Sequence, residues 1–135
     1  MTVLLAHTPH ASAEAAFESA LEQAIFRDTD LVLVNATKGE TLVDPKYATD
    51  EALTEFSQRA AGRGVGLSIE RPVDADIAAA VLTVAGRYDT DLIVLGVRHR
   101  SAVGKFLLGS VAQRIILDAD CPVLAVKADT IGAVG

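Results

Sequence analysis

Apolar and polar positions recur along this chain in two periods, and the two alternate from one end to the other. Val3 to His7 is an almost unbroken apolar run, the mark of a parallel strand buried on both faces. Thr8 can cap the following helix and Pro9 suits its first position. That helix is expected to reach about Phe26, because Ala13, Ala16, Phe17, Ala20, Leu21 and Ala24 form one apolar stripe. Asp30 precedes a second strand, Leu31 to Ala36, and a polar segment follows from Thr37 to Thr49, with Gly39 and Pro45 in it. Leu53, Phe56 and Ala60 share one face of a helix from about Asp50 to Ala61. Gly62, Gly64 and Gly66 mark the turn into a third strand, Gly66 to Glu70, which Pro72 ends. Asp74 reads as the N-cap of a third helix running to about Gly86, with Ile77, Val81 and Val84 inward. Leu92 to Leu95 is a fourth strand, Ser110 to Ala119 the last helix and Val123 to Lys127 the fifth strand. Ala128 to Gly135 has no period and reads as a flexible tail.

Five strands alternating with four helices predict a three-layer α/β sandwich on a parallel sheet with right-handed crossovers. One connection breaks the rhythm. From Gly96 to Gly109 the chain spends far more than the roughly two to six residues usual between a strand and a helix, which marks the segment as functional. It holds Arg98, His99, Arg100 and Lys105, and it closes on Gly109-Ser110 at the start of a helix. A glycine off a strand, a cationic loop and a Gly-Ser pair opening a helix are the parts of a phosphate site. Backbone N–H groups at a helix N-terminus point at an anion, and the helix dipole favours negative charge there. Gly96 lets the chain turn and a ligand approach the backbone, while Gly109 and Ser110 offer N–H groups and a hydroxyl. Arginine adds planar, bidentate recognition of phosphate. The competing reading is a strand-ending glycine followed by a solvated basic loop.

Composition narrows the field. A chain of 135 residues has room for one domain, 1–135, and with half of it hydrophobic and 22% charged it should bury a packed core. Its formal net charge of −6 argues against a general nucleic-acid or membrane-surface binder, so an anion site here must be a local cationic patch. Cys121 is the single cysteine, which leaves no intrachain disulfide and no cysteine-based zinc cluster; beside Pro122 it reads as a small buried hydrophobe. The longest low-polarity run, Ile77 to Gly86, falls short of a membrane span, and no basic leader precedes the first apolar run, so a soluble cytoplasmic protein is expected.

In this topology His7, His10 and His99 map to one crevice. A three-histidine zinc site is opposed by the neighbouring fixed cations, and no metal is assigned; an anion site that responds to pH fits imidazole better. Asp118 reads as an i,i+4 partner of Arg114, and Asp120 as a turn residue. No nucleophile–base pair, nucleophile elbow or Walker lysine motif is visible, and no catalytic residue is assigned.

Gly96, two residues, His99, nine residues, Gly109-Ser110 and then Cys121-Pro122-Val123 together resemble the universal stress protein signature G-x2-G-x9-G-[ST]. His99 stands where the second glycine of that signature falls, and the order of elements extends the likeness over essentially the whole chain. The resemblance implies strand order 3-2-1-4-5. It also implies an adenine nucleotide, ATP or AMP with magnesium left open, at the switch point between strands 1 and 4, where ligands of open α/β sheets bind. Carried onto this sequence, Ala6, His7 and Thr8 lie beside the nucleoside and Ala36 against the base. Leu95 and Val111 flank the ligand, and Gly96, Arg98, His99, Arg100, Gly109 and Ser110 surround the phosphates. Thr8 stands where ATP-binding members usually place an aspartate. The resemblance further implies a homodimer in which Val123, Leu124, Ala125, Val126 and Lys127 pair antiparallel with their copy. The expected role is nucleotide or phosphate-ligand binding in a stress response. A dimeric interaction protein with a degraded pocket is the alternative, and an enzyme would be at most a slow nucleotide hydrolase.

Overall fold

Strand β1 (Thr2–Ala6) is buried at four of its five positions, because it has a strand on each side and helices on both faces. The computed structural model describes residues 1–39, 47–100 and 106–127, with side chains outside 98–100 and 106–107. Within them, α1 (Ala13–Arg27), β2 (Asp30–Val34), α2 (Asp50–Gly62), β3 (Leu67–Glu70) and α3 (Ile77–Arg87) follow β1. Then come β4 (Thr90–Gly96), β5 (Arg98–Arg100), β6 (Phe106–Leu107), α4 (Ser110–Asp118) and β7 (Val123–Val126). The main sheet is parallel in the order β3-β2-β1-β4-β7, which is the expected 3-2-1-4-5 with β7 as the fifth strand.

Side chains alternate across a strand, and the alternation sorts the core into two layers. Val3 and Leu5 face α1 and α2, where they meet Phe17, Leu21, Leu33 and Phe56. Leu4 faces α3 and α4, with Val32, Val34, Ile93 and Leu95 around it and Ile77, Val81 and Ile115 above. The register sets Leu4 against both Val32 and Ile93, so β1 and β4 finish side by side at Ala6 and Leu95.

Two helices begin later than the sequence predicts. α1 starts at Ala13 and not at Pro9. The His10 side chain draws in the backbone N–H of Ser12, and the Ala13 N–H bonds the His10 carbonyl, so residues 9–12 form a turn first. α3 is capped by Asp76 and not by Asp74. Asp74 is held outside the helix by its own N–H to the Thr37 carbonyl, and its Oδ1 accepts the Asp76 N–H. The Asp76 side chain accepts from the Ala79 N–H at 3.0 Å. The long connection after β4 also carries structure that its polar, glycine-bounded sequence did not announce: β5 and β6 pair antiparallel, Arg98 opposite Leu107. Lys105 and the tail from 128 to 135 lie outside the described residues, as do residues 40–46 of the polar segment.

Candidate functional site

At the carboxyl ends of β1 and β4 the chain leaves in two directions, toward α1 and toward β5, and a cleft of about 220 Å³ opens between them. Its deep wall is apolar, built from Val34, Ala36, Ile77, Val81, Leu95 and Ile115, all inward residues of the α3 and α4 layer. Its rim is polar and backbone-rich, with Thr8, His10, Gly109 and Ser110. Ala6, His7, Thr8, Ala36, Leu95, Gly96, Gly109, Ser110 and Val111, nine of the residues singled out from sequence, all line it. The side chains of Arg98, His99 and Arg100 lie outside the described residues. Their backbone forms β5, which leaves β4 through Val97, whose N–H bonds the Val126 carbonyl at 2.7 Å.

His7 and His10 both line the cleft, while the His99 side chain lies outside the described residues; the His7 ring, however, is turned to the other face of the sheet. His7 continues the Val3–Leu5 face, and its ring packs edge-on against Phe56, with centroids 5.2 Å apart, on the α1 and α2 side of the sheet. It is 5% exposed, and its Nδ1 is buried with no hydrogen-bond partner. Burial, with a smaller contribution from the nearby His10, pushes its pKa down to about 4, so the ring is neutral at physiological pH. What His7 gives the site is its main chain. Its N–H bonds the Val34 carbonyl at 2.9 Å and its carbonyl accepts from Asn35 Nδ2 at 3.2 Å. Asn35, fully buried, also accepts the Ala48 N–H at 2.9 Å, and this brace holds the end of β1 against β2.

His10 lines the cleft in a way that residue types alone did not reveal. Its Nδ1 lies 2.8 Å from Ser12 Oγ and 3.2 Å from Ser12 N. Both residues press on Gly96. A β-carbon built there would overlap Ser12 Oγ and come within 3.0 Å of His10 Cε1. Gly96 is therefore required for space, so that the turn leading into α1 can close over the end of β4. Its φ lies outside the left-handed range, and the requirement is not conformational. The available signal in the sequence was the H-x-S spacing before the first helical stripe. The Ser–His contact is not a nucleophile–base pair for substrate, because Ser12 is fully buried.

α4 begins in the same cleft at an N-cap, Gly109, that has no side chain to bond the first-turn N–H groups. α2 and α3 are capped, by Thr49 on the Ala52 N–H and Asp76 on the Ala79 N–H. α1 and α4 have no side-chain cap bond; α4 starts at the cleft, and ahead of α1 the turn residues Thr8, Pro9 and His10 line it. Uncapped N–H groups and the positive end of the helix dipole favour an anion at this rim. Arg114 of α4 is not available to it, because its guanidinium grips Asp76 at 2.6 and 2.7 Å and so ties α4 to the start of α3. The expected pairing of Arg114 with Asp118 is present at 3.9 Å as the longer contact. Arg114's hydrogen bond holds the Asp76 carboxyl below its usual range. Burial pushes the Cys121 thiol up, which disfavours a reactive thiolate.

Among the described residues, no group of three or more His, Cys, Asp and Glu side chains is placed to hold a metal ion. None of the described helices is long and apolar enough to cross a membrane. β7 forms one edge of the sheet, and on α4 Leu117 is 79% exposed.

The universal stress protein family model matches residues 1–127. A universal stress protein of Mycolicibacterium smegmatis is 43% identical over 113 residues, covering 84% of this chain and 87% of its own. The fold is shared with two solved structures. One is a universal stress protein from Archaeoglobus fulgidus in complex with dAMP: 21% identity, 93% of this chain and 96% of the other covered, TM-score 0.67. The other is a universal stress protein in complex with cAMP: 23% identity, 96% and 98% covered, TM-score 0.73. With the signature spacing, the strand order and these matches together, the chain belongs to the universal stress protein family.

Proposed function

We propose that this protein binds an adenine nucleotide, or another small ligand carrying phosphate, in the cleft between β1 and β4. The observation that carries the reading is the pairing of an apolar wall with an uncapped helix start in one cavity. Val34, Ala36, Ile77, Val81, Leu95 and Ile115 offer a dry surface for a planar base, and Gly109, Ser110 and Val111 bring backbone N–H groups to the other side. Two family members of the same fold are solved with dAMP and cAMP, which supports a nucleotide over a simple anion. Thr8, lining the cleft without a carboxylate, keeps a hydroxyl for a ribose and spares the site a negative charge. Arg98, His99 and Arg100 supply the cationic side of the phosphate site, and a stress-response role through ligand-dependent changes of partner follows from the family. Titration calorimetry with AMP and ATP, with and without magnesium, tests the reading.

A second reading adds to the first: the protein is a homodimer through Val123, Leu124, Ala125, Val126 and Lys127. It is supported by β7 standing at the sheet edge, where the outer side of an apolar strand invites pairing, and by exposed Leu117 and Ile116 on α4. If the chain dimerises but releases no nucleotide on denaturation and takes up none, the interaction role stands alone. Light scattering on the eluting protein measures the first, and chromatography of the denatured supernatant the second.

A further inference from the structure

Two bonds to the main chain fix which way the Asn35 amide faces. Its Nδ2 donates to the His7 carbonyl at 3.2 Å, and its Oδ1 accepts the Ala48 N–H at 2.9 Å. A backbone carbonyl only accepts and a backbone N–H only donates, so the amide has one orientation. Asn35 is fully buried. The His7 N–H bonds the Val34 carbonyl, so both main-chain polar groups of His7 are held on the β2 side. The His7–Thr8 peptide is trans and planar, which turns the Thr8 N–H the opposite way, toward β4. On that strand the chain leaves through Val97, whose N–H bonds the Val126 carbonyl of β7. Successive residues of a parallel strand present their polar groups to alternate sides, so the Gly96 carbonyl faces β1. With Ala6 in register with Leu95, the next rung between the strands would run from the Thr8 N–H to the Gly96 carbonyl. That rung is not made. Among the described residues the Thr8 N–H has no hydrogen-bond acceptor, and Thr8 and Gly96 both line the cleft.

We infer that Asn35 is a positioning residue of the ligand site: it holds the His7 carbonyl toward β2 and so aims the Thr8 N–H, beside the Gly96 carbonyl, at a sugar hydroxyl of the bound nucleotide. The inference rests on the nucleotide reading of the cleft and deepens it by naming the part of the ligand that meets the ends of β1 and β4. A donor and an acceptor side by side match a hydroxyl, which accepts from the one and donates to the other. A phosphate oxygen only accepts, and it would meet the Gly96 carbonyl as a like partial charge, so the anion belongs at the start of α4. Because Asn35 is buried with the His7 and Ala48 bonds already made, the peptide needs no rearrangement on binding.

The test combines amide hydrogen exchange and affinity on the full chain. AMP should slow exchange of the Thr8 amide in the wild type, and dideoxy-AMP, which lacks both sugar hydroxyls, should not. AMP should also bind about three- to tenfold more tightly than the dideoxy analogue, the range of one neutral hydrogen bond. Asn35→Leu keeps the bulk of the side chain and removes its bond to the His7 carbonyl, and in it the preference for AMP over the analogue should fall toward one. A merely structural role would lower the melting temperature and weaken both ligands alike, leaving that preference unchanged. Equal affinity of the wild type for the two ligands, a Thr8 amide that AMP leaves as exchangeable as the analogue does, or an undiminished preference in Asn35→Leu overturns the inference. If Asn35→Leu does not fold, the two wild-type measurements decide alone. Absence of any AMP binding by the wild type overturns the nucleotide reading itself, and the inference with it; that result is read first and is distinct from the others.

Discussion

Ser12 Oγ occupies the space that a β-carbon on Gly96 would need. The turn that leads into α1 and the last residue of β4 are thus fitted to each other. Gly96→Ala should destabilise the fold by roughly 1–3 kcal/mol, the usual cost of overpacking a close site. Adding Ser12→Ala should recover part of this and not all, since Ser12 Cβ and His10 Cε1 remain 3.1 and 3.0 Å from the new carbon. Urea denaturation of the two single variants and the double variant measures the coupling. Strict additivity of the two changes would contradict the contact.

His7 predicts a pH dependence of stability. Its folded pKa is about 4, while an unfolded histidine protonates near 6.5. Between those values the unfolded chain binds more protons, so stability falls as the pH is lowered from about 6.5 to 4 and levels off above. The full effect of such a shift is on the order of 3 kcal/mol. His7→Leu removes both the titration and the orphaned Nδ1. Its stability relative to wild type should therefore rise steadily as the pH is lowered through that window. A difference that stays constant from pH 7 to 4 would show that His7 is not buried neutral.

Asp76 performs two tasks at once, capping α3 and holding Arg114. Asp76→Ala should cost about 1–2 kcal/mol through loss of the cap, while Asp76→Asn, which can still cap, should cost clearly less. The ion pair adds little to either, because both side chains are nearly half exposed. Equal losses in the two variants, read from denaturant midpoints, would move the weight from the cap to the ion pair.

Arg98 and Arg100 stand in the segment between the signature glycines Gly96 and Gly109, on a chain of net charge −6. Replacing both with alanine should weaken ATP binding about tenfold or more and flatten its dependence on salt. Unchanged affinity would reduce this segment to a solvated loop.

Most of the architecture was legible because burial writes a simple pattern. β1 and β2 are apolar on both faces, and the stripe Ala16, Phe17, Ala20, Leu21, Ala24 is the buried face of α1. The strand order came from the resemblance and not from any period. What escaped reading was decided by single hydrogen bonds. Thr8 and Pro9 have the chemistry of a helix start, yet the Ser12 N–H bonded to the His10 ring delays that start to Ala13. Asp74 was the expected cap of α3, and the bond from its N–H to the Thr37 carbonyl holds it outside the helix and leaves the cap to Asp76. In the site, Ala36, Leu95, Gly109 and Ser110 were assigned through the family resemblance, and all four line the cleft. His7 was assigned to the same crevice, although the period of two sends its ring across the sheet to Phe56.

The central claim is that the cleft takes a nucleotide, and calorimetric titration with ATP and AMP, read beside thermal melting, tests it most directly. Binding in the micromolar range is expected, with a stabilisation of about 2.7 kcal/mol at a hundredfold excess over Kd. No heat and no melting shift with either nucleotide up to millimolar concentrations would contradict the claim.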